Sequence, residues 1–133
     1  LTKTIPTLRV VHGLICDDVR SELFHKETLV GVYQTGIAVR SLPWTSNICL
    51  WMAVIWNGEG DVDLEVRVLD PKNRQVAEAL GKARAIQQGK ETSLTFRGLS
   101  VRIETEGPYL VQWRAVGGIW ETVKTFSVAL VRT

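Results

Sequence analysis

Histidine and cysteine are scarce in this sequence, at two residues each, and their scarcity removes whole classes of chemistry. A metal centre needs three or four converging nitrogen, sulfur or carboxylate ligands. His12 and Cys16 share a strand face but stand ~13 Å apart at ~3.3 Å per residue, too far to share an ion, so no metal or other cofactor is expected. A nucleophilic triad needs a histidine placed between a nucleophile and an acid, and no GxSxG turn is present. His12 reads as a partly buried structural imidazole among aliphatics, and His25, within ELFHKE, as an exposed turn residue. Gly58-Glu59-Gly60 lacks the following helix and lysine that would make it a phosphate loop.

No run approaches the ~20 apolar residues of a membrane span, and LTKTIPTLRVV lacks a basic segment leading into a long apolar core. The expectation is a cytoplasmic protein with no membrane partner. A net charge of +2 is too small to imply a phosphate-binding surface, so nucleic acid is not an expected partner either. Cys16 and Cys49 lie in the apolar runs GLIC and ICLWM, where thiols serve as small hydrophobes. The inter-sheet disulfide of antibody domains does not fit them, because Val111 stands where the later cysteine belongs.

What is present is strand pattern. The sequence has 133 residues, enough for one domain with its own core over 1–133. Residues 8–16 (LRVVHGLIC), 27–33 (ETLVGVY) and 48–56 (ICLWMAVIW) read as strands, as does the short IAVR after Gly36, which Pro43 closes. Val62, Leu64, Val66 and Val68 alternate with Asp63, Glu65 and Arg67, the period of a half-buried strand. Asp70-Pro71-Lys72-Asn73 is a type I turn signal. Residues 75–88 read as strand and then loop, although their alanines also suit a short helix. Residues 92–96 and 99–104 are two strands or one bent at Gly98, residues 108–116 alternate again, and Gly117-Gly118 turns the chain into a last strand at 119–131. Glu104 to Tyr109 resembles the tyrosine corner of immunoglobulin-like domains. The predicted fold is therefore all-β, an immunoglobulin-like antiparallel β-sandwich of about eight or nine strands.

Three of the early strands are apolar on both faces, whereas a sandwich sheet needs only one. Along residues 48–56 the second face is Cys49, Trp51, Ala53 and Ile55, a candidate interaction surface that residues 75–88 or another subunit would have to cover. The densest polar cluster, Asp17, Asp18, Arg20 and Glu22, reads as a turn between strands and is the candidate polar site. Carboxylates so placed more often bond backbone N–H groups or a neighbouring arginine than perform acid–base work. Of the five tryptophans, Trp51, Trp56 and Trp113 fall at core positions of their strands, leaving Trp44 and Trp120 as candidate stacking residues.

Residues 15–33 (ICDDVRSELFHKETLVGVY), with VRVLDP at 66–71, resemble an uncharacterised family of short bacterial proteins. That family opens with an ICDDVR-x-E motif, a lysine and an aliphatic-Gly-Val-Tyr strand. The resemblance covers the first third of the chain and implies a small β domain of bacterial or phage origin, with no activity to carry over. The family's usual glycine before the lysine is His25 here. Function is read first as a non-enzymatic interaction or assembly module that binds a protein partner, or a second copy, through the N-terminal sheet. The alternatives are a small-ligand or carbohydrate-binding sandwich using Trp44 and Trp120, and a hydrolase using Asp17, Asp18 or Glu22.

Overall fold

A computed structural model describes residues 6–85 and 89–131. Among them the strands are β1 (Thr7–Ser21), β2 (Glu27–Tyr33), β3 (Gly36–Val39), β4 (Trp44–Asn57), β5 (Gly60–Leu69), β6 (Gln75–Ala85), β7 (Glu91–Ile103), β8 (Gly107–Ala115) and β9 (Glu121–Leu130), with one 3-10 turn at Leu23–His25. They form two sheets, ordered β2-β1-β4-β7 and β3-β9-β8-β5-β6. The protein is an all-β sandwich. The expectation of a wholly antiparallel one is corrected at β3, which pairs parallel with β9. β3 enters from β2, an edge strand of the other sheet, so no hairpin fixes its direction.

The alternating rows legible in the sequence meet between the sheets. Leu50, Met52, Val54 and Trp56 of β4 pack in one cluster with Val62, Leu64, Val66 and Val68 of β5 and with Tyr109, Val111 and Trp113 of β8. The Trp56 indole donates to Thr92 Oγ1 at 3.0 Å, so its polar edge is satisfied inside the core. Tyr109 stacks on Phe126 with centroids 5.3 Å apart, and its hydroxyl donates to the Thr105 carbonyl at 2.7 Å.

Residues 75–85 are strand rather than helix. Ala77, Ala79, Gly81 and Ala83 pair with Val68, Val66, Leu64 and Val62, so the small side chains recur every second residue on the inward face. That row lets the two sheets close at this edge: a Cβ at Gly81 would lie 2.8 Å from Phe96 Cε1 of β7. Residues 86–88 lie outside the described residues. β7 is one strand whose register shifts opposite Ile48 and Leu50, with Gly98 at φ 70 in the bulge. The turn after β5 is closed by Asn73 N–H donating to the Asp70 carbonyl at 2.9 Å. Among the described residues no helix is long and apolar enough to cross a membrane.

Candidate functional site: the folded-over hairpin

β1 does not stop at the aspartates. It runs on to Ser21 and pairs with β2 through Asp18↔Val30, Val19↔Leu29, Arg20↔Thr28 and Ser21↔Glu27. Asp17, Asp18 and Arg20 are thus strand residues, and only Glu22 belongs to the turn. The reading of all four as a loop is corrected, because cross-strand partners on β2 continue the ladder past the polar cluster.

The far end of this hairpin curls across the outer face of β4 and reaches β7. Arg97 of β7 donates to the Val19 carbonyl and pairs with Asp18 at 3.6 Å. Ser93 of β7 donates to Glu27, and the Trp51 indole donates to the same Glu27 oxygen at 3.2 Å. Beneath the hairpin Cys16, Val19 and Cys49 form a second buried cluster, with Leu29 and Trp51 packed against it. The surplus apolar face of β4 is therefore covered at this end by the chain's own hairpin, and not by residues 75–85, which pair with β5 in the other sheet. Cys49 is only 5% exposed and Ala53 is buried, while Trp51 and Ile55 are half-buried. Ala53 lies between His12 and Ser93, and Ile55 between Arg9 and Glu91, so polar neighbours border what remains of that face.

Each element of the ICDDVR motif has a place in this clamp. Ile15 enters the main core. Cys16 and Cys49 are free thiols, directly paired across β1 and β4, so they share a sheet rather than bridge two. Burial pushes the Cys16 thiol up, and Cys49 beside it pushes the same way. Asp17 accepts the Tyr33 hydroxyl at 2.6 Å. Asp18 accepts the Val19 N–H at 2.9 Å and pairs with Arg20 at 3.6 Å. His12 is exposed rather than partly buried, because the register shift between Val10 and His12 interrupts the alternation there.

The clamp holds up a tip of unusual character. Glu22 N–H donates to the Lys26 carbonyl at 2.7 Å and closes the turn. Inside it Phe24 and His25 both adopt left-handed backbone, at φ 63 and 60, a region that costs an L-residue ~1–2 kcal/mol. Leu23 and Phe24 are 80% and 86% exposed, over a hollow of about 460 Å³ bordered by Glu22, His25, Lys26 and Ser93. The sequence reading passed over this pair. Its signal was an adjacent Leu-Phe in a turn otherwise made of Glu, His and Lys.

The two candidate stacking tryptophans lie apart, Trp120 just ahead of β9 in the β8–β9 connection. Trp44 opens β4 and packs against the main core. Trp120 lies over the guanidinium groups of Arg67 and Arg114, at 4.1 and 4.4 Å from the ring centre. Arg114 is also paired with Glu65 at 2.7 Å, and Arg67 donates to Gln112 at 2.8 Å. Among the described residues no group of three or more His, Cys, Asp or Glu side chains is placed to hold a metal ion.

A family model described as a family of unknown function (DUF6941) matches residues 12–128. No curated protein matches the chain. Among solved structures, a beta-glucosidase from Listeria innocua in complex with glucose is similar at 13% identity and a TM-score of 0.45, over 93% of this chain and 16% of that one. The beta-glucosidase from Listeria innocua in complex with isofagomine gives 15% identity and a TM-score of 0.41, over 95% of this chain and 16% of that one. The chain spans about a sixth of those structures' length.

Proposed function

The chain belongs to DUF6941, a family of unknown function, and from that premise we propose that it is a non-enzymatic interaction module that docks a protein partner through the tip of the β1–β2 hairpin. The observation that carries this reading is Phe24, 86% exposed on left-handed backbone beside the equally bare Leu23. Leaving a large aromatic in water and in a costly conformation brings no benefit to the fold, so its use lies outside the chain. The clamp of Asp17, Asp18, Glu27 and Arg97 beneath it is what a rigid display needs, since ordering a mobile loop on binding would cost affinity.

The shape of the tip narrows the partner. Two apolar side chains on a convex turn form an anchor rather than a broad interface, and an anchor fills a concave apolar pocket. Two copies of the same convex tip do not complement one another, so a different protein is favoured over a twofold self-dimer. The Asp17 and Asp18 carboxylates have structural partners in Tyr33, Arg97 and Arg20, which favours the interaction reading over hydrolysis.

The test is a photo-crosslinking residue at position 24, with one at Ala129, exposed on the other sheet, as control. The expected result in the host is one discrete adduct from position 24 that disappears with Leu23→Ser. Equal labelling from both positions would sink the reading. A second reading, ligand binding on the outer face of β5 and β8, is favoured by Trp120 stacked over Arg67 and Arg114. Titration with neutral monosaccharides, followed by tryptophan fluorescence, tests it: a saturable change lost in Trp120→Ala is expected.

A further inference from the structure

At the other end of β1 the two sheets part, leaving a pocket of about 420 Å³. Leu8 supplies one wall from the first sheet, Val62, Leu64 and Ala115 supply the other, and Ile119, from the β8–β9 connection, lines it beside them. Ile119 is 87% exposed, an aliphatic side chain left in water at this site. The volume falls within the ~300–1,000 Å³ of small-molecule sites, and the character is mostly apolar, as such sites are.

A second observation is independent of shape. Trp113 lines the same pocket, is 7% exposed, and its indole N–H has no hydrogen-bond acceptor among the described residues. The other deeply buried tryptophan, Trp56, does have one, in Thr92. A buried donor without a partner costs ~1–3 kcal/mol, and a ligand oxygen would offset that cost. The only charged side chain lining the pocket among the described residues is Glu121. It repels a carboxylate or phosphate, and a protonated amine has no lone pair for the indole N–H.

We propose that this pocket binds a neutral, mostly apolar small molecule that carries a carbonyl, ether or hydroxyl oxygen, with the body against Leu8, Leu64 and Ile119 and the oxygen accepting from Trp113. The site lies apart from the hairpin tip and does not depend on the docking role proposed for it.

Nile red, a neutral dye with a carbonyl, is the probe, with 2-decanone and decanoate as competitors. Expected are saturable binding of one dye per chain, displacement by 2-decanone, and at least tenfold weaker displacement by decanoate. Trp113→Phe keeps an aromatic ring and removes the N–H together with part of the indole; it lowers the unliganded thermal midpoint by the packing lost and weakens 2-decanone about two- to tenfold. Ile119→Ser, at an exposed position that the fold tolerates, weakens both neutral ligands. Absence of saturable binding overturns the proposal, as does binding indifferent to both substitutions. A mass that grows with concentration and returns to monomer in both Phe24→Ser and Ile119→Ser also overturns it, because a second copy's hairpin tip would then be the occupant.

Discussion

Asp17 and Tyr33 meet diagonally across the β1–β2 ladder, where Tyr33 stands opposite Ile15, the tyrosine hydroxyl donating to Asp17 Oδ1 at 2.6 Å over a glycine that leaves the carboxylate room. That glycine, Gly31, sits at φ +68, and a Cβ there would collide with Asp17 Oδ2. Gly31→Ala is therefore expected to cost about 2 kcal/mol, from left-handed strain and the displaced hydrogen bond together. Urea denaturation reads it. Asp17→Ala removes part of the same interaction, so the double variant should lose clearly less than the sum of the two single losses. Strict additivity would show that the two side chains do not communicate.

The same contact makes an alkaline prediction. Partial burial, and then the Asp17 carboxylate, push the Tyr33 phenol up to about 12. The folded chain holds this proton more tightly than the unfolded chain, whose tyrosine titrates near ~10. The contribution is therefore complete below pH ~10 and is lost as pH climbs towards 12. Wild type should lose stability more steeply than Tyr33→Phe across that window, measured by urea midpoints at stepped pH. Parallel curves would place Tyr33 outside this linkage.

Asp70 gives the opposite sign. Burial would raise its carboxyl, but the N–H groups of Lys72 and Arg74 and the Arg74 guanidinium, at 2.8 to 2.9 Å, outweigh burial and hold it below the usual carboxylate range. A lowered group contributes stability above its unfolded value of ~3.9, and the contribution vanishes as pH falls through the lowered folded value. Asp70→Asn should be less stable than wild type at pH 7, and the gap should narrow below pH 4. A gap constant down to pH 2 would contradict the ionic origin.

How much was legible follows from what each strand packs against. β5 and β8 face the core on one side and water on the other, so Val62 to Val68 and Tyr109 to Trp113 announced their faces by period alone. The Tyr109 corner was legible because its partner, Thr105, is four residues away. The hairpin fold-over was not. Its contacts join Val19 to Arg97 and Glu27 to Ser93, side chains far apart in sequence whose meeting depends on how β1 curls. The surplus apolar face of β4 did register as something needing cover, but a single sequence does not say which segment supplies it. The Trp113 pocket had no local signal, since its walls come from strands of both sheets.

Cover by the hairpin also predicts the behaviour of the thiols. Cys16 and Cys49 are both buried beneath it, and burial pushes the Cys16 thiol up, away from the reactive thiolate. Neither should react with a disulfide reagent such as dithiobis(nitrobenzoate) in the native protein at neutral pH, and both should react in urea. Arg97→Ala, which removes the tie to the Val19 carbonyl and Asp18, should speed native-state labelling several-fold by local opening. Rapid labelling of the intact protein would mean that the hairpin does not stay closed.

His25 holds left-handed backbone at φ 60, a conformation that glycine adopts without strain. Left-handed backbone costs a histidine ~1–2 kcal/mol, which glycine avoids, whereas glycine's greater freedom when unfolded returns ~0.5–1 kcal/mol of that gain. His25→Gly is thus expected to stabilise the protein by about 0.5 to 1 kcal/mol, seen as a higher urea midpoint with an unchanged slope. Among the described residues the imidazole has no hydrogen bond or ion pair, and it is exposed at the tip beside Phe24. Destabilisation by His25→Gly would mean that the ring supports the turn. Stabilisation with weakened partner capture at position 24 would instead show that His25 serves contact, at a cost in stability.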